Sequence, residues 1–232
     1  MNKLIEYLEN KQLVWHGAYK KPQITTSSSG YHELDSQLEG GFAATGVIEI
    51  LSDIAIGELR LLLPSLLKQN TQQKFWIFIA APACVNAQML VKQGFDLNKV
   101  LFIQPTTQQE ILWAAELCLK SGCCCSVLMW PHKALDVHQI KRLQLACEKG
   151  NSRTFILRQQ RTESISLPFD LSLSLKANES GLLAKVNKRR YAWPSEYFAI
   201  NMQAHWPELV KQNTLKQALH NVIEFPFARE II

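Results

Sequence analysis

No stretch of this 232-residue sequence is apolar for the roughly 20 residues that a helix needs to cross a bilayer. The longest apolar runs, such as Leu61 to Leu67, are short and interrupted, so no membrane span is expected. The first ten residues carry Glu6 and Glu9 and no long apolar segment, which argues against a secretory signal and for a cytoplasmic protein. The converging C-x2-4-C arms of a metal site are also missing. Cysteines stand at Cys84, Cys118, Cys123, Cys124, Cys125 and Cys147. Adjacent residues of a strand face opposite sides, so the triplet cannot converge on one ion. It leads into Ser126-Val127-Leu128-Met129, and buried thiols in a core strand are expected, with no metal and no disulfide framework. With 47% hydrophobic and 19% charged residues, the chain is too apolar for general disorder and long enough for one domain with a sizeable core.

The formal net charge is +5, and it is unevenly spread. Residues 1–140 hold 11 basic and 12 acidic side chains, whereas residues 141–232 hold 14 and 8. The whole excess falls in the last two fifths. It is either a footprint for an anionic partner such as nucleic acid or a solvated surface with none.

Hydrophobic patterning predicts a short amphipathic helix within residues 2–15, a linker over 16–29, and a helix from Tyr31 to Leu38 closed by Gly40-Gly41. A strand, Val47 to Leu51, then meets a glycine-containing turn, Ser52 to Gly57, and a leucine-rich helix from Glu58 to Gln69 that Pro64 should kink or delay. Apolar strands follow at 75–79, 100–103, 125–130 and 154–157, alternating with helices near 86–93, 107–120 and 137–149. Asp136 stands where the last of these helices needs a cap. Unbroken apolar strands alternating with helices indicate a mostly parallel sheet covered on both faces. After residue 165 the period changes to two: Leu171 to Leu175 and Leu182 to Val186 form a β-hairpin that closes the sheet. A last helix, about Pro207 to Val222, and Phe225-Pro226-Phe227 end the sequence.

Several phrases are more specific. Ser29-Gly30-Tyr31-His32-Glu33-Leu34-Asp35 with Gly40-Gly41, Gly46 and Glu49-Ile50 is similar to the start of a RecA-type ATPase core. Ile56 to Pro64, Ala81 to Gln88, and Arg142 to Glu148 resemble the ImuA/SulA branch of RecA-like proteins. The resemblance covers roughly residues 12–200. It implies an α/β, RecA-like three-layer core with a C-terminal β-hairpin and a degenerate P-loop, divided as 1–28 (helix and linker), 29–203 (core) and 204–232 (helix and tail).

An active P-loop reads G-x-x-x-x-G-K-[ST], its amides and lysine holding phosphates and its hydroxyl a Mg²⁺ ion. Here the loop reads Ser52-Asp53-Ile54-Ala55-Ile56-Gly57-Glu58-Leu59. Only the second glycine survives, Glu58 replaces the lysine, and Leu59 cannot ligate a metal. By the same resemblance, Pro82 stands at the place of the catalytic glutamate and Trp130 at that of the Walker B acid, while Leu157-Arg158 replaces the polar sensor. The expectation is a pseudo-ATPase with no catalytic residue and no cofactor. His132 and His138 flank Asp136 without a nucleophile, and Cys84 follows Pro82-Ala83 near a strand end, where an idle thiol is expected.

If the chemistry is gone, the surface carries the function. The resemblance implies one of two non-enzymatic roles in the SOS response to DNA damage. An ImuA-type protein works in a mutagenic translesion-synthesis complex with an ImuB-like Y-family polymerase homologue, a DnaE-type polymerase and RecA. A SulA-type protein binds FtsZ and blocks its polymerisation. The retained N-terminal part and the basic C-terminal half favour the first. The segment Lys185-Val186-Asn187-Lys188-Arg189-Arg190-Tyr191-Ala192-Trp193 is a candidate DNA or partner contact, extended by Arg153, Arg158 and Arg161; the other account is a solvated hairpin end with Trp193 tucked onto the sheet. Trp206, Leu209, Leu215, Leu219, Phe225 and Phe227 form an apolar face that docks either on a partner or on the core.

Overall fold

The computed structural model describes residues 25–53, 55–69, 74–82, 85–159 and 167–208. The helices expected within 2–15 and from Pro207 to Val222 lie outside these residues, apart from the first two positions of the second. So do Cys84 and Arg161, and Leu209, Leu215, Leu219, Phe225 and Phe227 of the expected docking face.

The chain enters through β1 (Thr26–Ser27), α1 (His32–Gln37) and β2 (Phe42–Ala43). β1 and β2 form a two-stranded antiparallel ribbon, so the boundary drawn at residue 28 falls within a folded unit. Next come β3 (Gly46–Leu51), α2 (Glu58–Gln69), β4 (Phe75–Ile79), α3 (Ala87–Lys92), a 3-10 turn at Leu97–Lys99, and β5 (Val100–Ile103). Then follow α4 (Gln108–Lys120), β6 (Cys124–Met129), α5 (Val137–Gly150), β7 (Arg153–Arg158), β8 (Leu171–Asn178), β9 (Gly181–Arg189) and β10 (Phe198–Asn201).

Eight strands make one sheet in the order β10-β9-β8-β3-β7-β6-β4-β5. From β8 to β5 all neighbours are parallel; β9 and β10 extend the sheet antiparallel. This is a mixed α/β fold with a mostly parallel central sheet. β6 is buried along its whole length, as a strand covered on both faces must be. One core cluster joins α1, α2 and α3 to Ile48, Phe78, Leu128 and Phe155; the other joins α4 and α5 to Val47, Ile79, Val127 and Ile156. These alternate along β3, β4, β6 and β7, so the clusters fill opposite faces. Strand β10 and the β1–β2 ribbon have no counterpart in the sequence pattern.

The helix ends follow local chemistry. Thr107 with Glu110, and Asp136 with Gln139, form capping boxes at the starts of α4 and α5. Pro64 lies inside α2 without ending it. Proline has no N–H for the carbonyl four residues back, and that acceptor, the Arg60 carbonyl, receives the Tyr31 hydroxyl at 3.1 Å. Pro64 also explains Gly30, whose φ is +98° and where a Cβ would stand 2.6 Å from the proline's own Cβ.

Candidate functional site

The C-terminal ends of β3, β4, β5, β6 and β7 surround a cleft of about 390 Å³. Here β7 stands between β3 and β6, a crossover of the kind that opens a ligand crevice in α/β sheets. Ser52, Asp53 and Glu58 form one wall; Pro82, Pro105, Trp130 and Pro131 form an apolar one; Lys133 and Arg158 contribute cations.

Ser52 is buried, and its N–H donates to the Arg158 carbonyl at 3.1 Å, prolonging the β3–β7 ladder. Gly57 takes φ +111° at the turn into α2. Its N–H, an amide that a phosphate-binding loop would point at its ligand, donates instead to the Glu58 carboxylate at 3.0 Å. The loop thus carries its own anion. Leu59 packs against the core of the α2 face, away from any metal-ligand role. Pro82 lies at the cleft rim, and the half-buried Trp130 stacks on Phe78 at 6.5 Å between ring centroids. The loop after β6 is pinned by Gln108, whose side-chain oxygen accepts from the N–H groups of His132 and Lys133 at 2.9 and 3.1 Å. Asp136 is engaged as the cap of α5, so His132, His138 and Asp136 form no acid–base constellation.

Arg158 belongs to this cleft, not to the basic segment of β9. Its Nε donates to buried Glu49 at 2.6 Å, a second guanidinium nitrogen pairs with the same carboxylate, and Ser172 donates to the other carboxylate oxygen. Arg153 corrects the expectation more sharply. It opens β7 at the end of the sheet away from the cleft, and its side chain is 0% exposed. The guanidinium donates to Ser27, Ala43, Ser65 and Ser126 and lies over Phe42 and Phe155. Burial lowers its pKa to about 9. It ties the β1–β2 ribbon to α2 and the sheet, and contacts no solvent.

The cations of 185–193 do not form one surface. A β-bulge leaves Asn187 as the extra residue of β9, opposite the step from Ser172 to Leu173. Lys188 then turns to the Leu167 carbonyl at 2.7 Å, while Arg189 turns to the Gln37 carbonyl and Glu39 on the α1 side. Neighbouring strand residues point to opposite faces, which is why a run of three cations splits. Arg190 is 3.6 Å from Asp170. Lys185 sits at the middle of β9, near Tyr197, and Trp193 is 91% exposed instead of tucked onto the sheet. Trp206 is 8% exposed and its Nε1 donates to the Tyr31 hydroxyl at 3.1 Å, so this residue docks on its own core and not on a partner.

Among the thiols, Cys124, Cys125 and Cys147 are buried, whereas Cys123 is exposed. Among the described residues no group of His, Cys, Asp or Glu could hold a metal ion, and no helix is long and apolar enough to cross a membrane.

Comparison with known proteins bears on this geometry. The family model for the cell division inhibitor SulA matches residues 50–154, from the end of β3 into β7. The chain is similar to "Cell division inhibitor SulA" of Cronobacter sakazakii, 26% identical over 66% of this chain and 94% of that one. A second relative of the same description, from Photorhabdus laumondii, is 30% identical over 44% of this chain and 56% of its own. The crystal structure of SulA from Pseudomonas aeruginosa superposes with a TM-score of 0.41 and 24% identity, over 49% of this chain and 98% of that one. The family model and these two relatives make the chain similar to SulA, and they lend nothing specific to the ImuA assignment.

Proposed function

We propose that this chain is a non-enzymatic inhibitor of cell division, acting by binding FtsZ and limiting its polymerisation. The observation that carries the reading is the SulA match over residues 50–154. That segment contains β4, β5, β6 and both the phosphate-loop turn and the apolar wall of the cleft. The non-enzymatic half rests on the cleft's chemistry. Phosphoryl transfer needs donors and cations aimed at the phosphates and a metal. Here Glu58 closes on the Gly57 amide, Arg158 is engaged by Glu49, and Trp130 and Pro82 replace acids. An inactivated RecA-type nucleotide site, with the strand β7 inserted between β3 and β6, agrees with this reading.

The division role replaces the translesion role in first place because the relatives carry the former description. A binding titration tests it: labelled FtsZ is titrated with the full chain and, in parallel, with Mg-ATP added. Saturable binding that ATP does not alter is the expected result. Absence of binding, together with capture of an ImuB-like polymerase homologue, would restore the translesion reading.

A further inference from the structure

On the sheet face opposite α1, the antiparallel extension β8–β9–β10 is polar where the rest of the sheet is apolar. Buried Glu49 on β3 accepts from Ser172, Asn187 donates to Ser174 at 2.8 Å, and Ser174 is the strand neighbour of Lys185. Beyond these residues the face ends in three side chains. Lys176 on β8 and Lys185 on β9 both lie over the ring of Tyr197, which precedes β10, at 4.7 and 5.6 Å from its centroid. Register accounts for the meeting: Lys176 pairs with Leu183 and Ser174 with Lys185, so the lysines are diagonal neighbours on one face.

Two ammonium groups thus converge on one aromatic ring. Among the described residues no carboxylate pairs with either, although Lys188, Arg189, Arg190 and Arg158 of the same region are all engaged. Like charges brought together without a counterion are costly until an anion arrives, and their field is strongest between them. We propose that Lys176, Lys185 and Tyr197 form the docking site for an acidic segment of the protein partner, one carboxylate bridging the two lysines. This rests on the reading that the chain works by binding a protein.

A single-stranded nucleic acid would also satisfy the charge. It would need open aromatic faces for its bases, and here both lysines lie over the Tyr197 ring, while Trp193, one residue past the Arg189–Ala192 bridge, is set along β9 from the lysine pair. The observations therefore favour carboxylates over nucleotides.

The test uses the full chain and labelled poly-L-glutamate, read by fluorescence anisotropy at low and moderate salt. K176E/K185E is compared with the charge-matched K141E/K149E on exposed positions of α5. The expected result is an affinity loss of at least about tenfold in K176E/K185E and little change in K141E/K149E. FtsZ binding should fall in the same variant. Equal effects of the two double variants would overturn the site, and so would FtsZ binding that K176E/K185E leaves intact. Oligothymidylate binding that competes with poly-L-glutamate and is tighter would overturn the carboxylate assignment. If wild-type chain fails to bind FtsZ at all, the division reading falls while the poly-L-glutamate result still judges the site.

Discussion

The Glu58 carboxylate accepts the Gly57 N–H at 3.0 Å, so the amide that a phosphate would use is already engaged by the next residue in the chain. A carboxylate at the start of α2 is favourable for the helix, whose first N–H groups and dipole attract negative charge. The same charge repels a nucleotide's phosphates. One carboxylate in the loop thus favours the helix and disfavours a phosphate ligand.

Nucleotide binding should therefore be absent in the wild type. Thermal melting with and without Mg-ATP should give the same midpoint. Glu58→Lys frees the Gly57 amide and supplies a cation, and is expected to bring a measurable shift with ATP but no hydrolysis, because Leu59, Pro82 and Trp130 still offer no metal ligand or base. Turnover by either protein would contradict this account.

Arg158 and Glu49 should behave as a coupled pair. Arg158→Ala leaves a buried carboxylate with Ser172 alone, and a loss on the order of 3 kcal/mol is expected by denaturant unfolding. Glu49→Gln in the same chain should recover part of it, since the neutral amide needs no cation. Independent, additive losses would show that the two groups do not interact as described.

Trp206→Ala should act on stability. The side chain fills the core beside Tyr31, under the Arg60 guanidinium at 5.8 Å, and its removal is expected to cost about 3–5 kcal/mol. Tyr31→Phe, which leaves the Arg60 carbonyl that Pro64 exposes without a donor, should cost about 1–3 kcal/mol. Partner affinity per folded molecule should be unchanged in both.

Stability should fall as pH rises above about 9. Burial pushes the Cys124 and Cys147 thiols up to about 12 and Cys125 up to about 11. Unfolded thiols lose their protons near pH ~8.5, so these three groups contribute stability that is complete below that pH and lost as pH climbs toward their folded values. Arg153 has the opposite sign: its folded pKa, about 9, lies below the unfolded one, so its deprotonation adds stability over the same range. Three thiols outweigh one guanidinium. Chemical denaturation at neutral and alkaline pH checks the slope, and Cys147→Ala should flatten it; a rise with pH would be the contrary result.

The alternation of apolar strands and helices made the parallel sheet legible, because strands buried on both faces must be apolar throughout. The cap at Asp136 was equally readable from the residues beside it, whereas Thr107, read as the first residue of its helix, proves to be the cap of α4. The basic run at 188–190 was not. Its fate depended on a bulge at Asn187 that no local pattern announces, and on partners at Leu167, Gln37, Glu39 and Asp170 that are distant in sequence. Arg153 misled for a related reason: a cation at a strand's start reads as surface until the serines of three elements and the Ala43 carbonyl are seen around it. The lysine–tyrosine cluster was half visible, as Lys185 was named, but Lys176 and Tyr197 meet it only through the register of β8, β9 and β10. In the cleft, the residues were readable from the loop's departures, whereas the Glu58–Gly57 contact needed coordinates.

The most direct test of the account is FtsZ assembly itself. FtsZ is polymerised with GTP in the presence of increasing amounts of the full chain, and the polymer is quantified by sedimentation. A dose-dependent fall in pelleted FtsZ that ATP does not modify is the expected result. Undiminished polymer at a molar excess of the chain would contradict it.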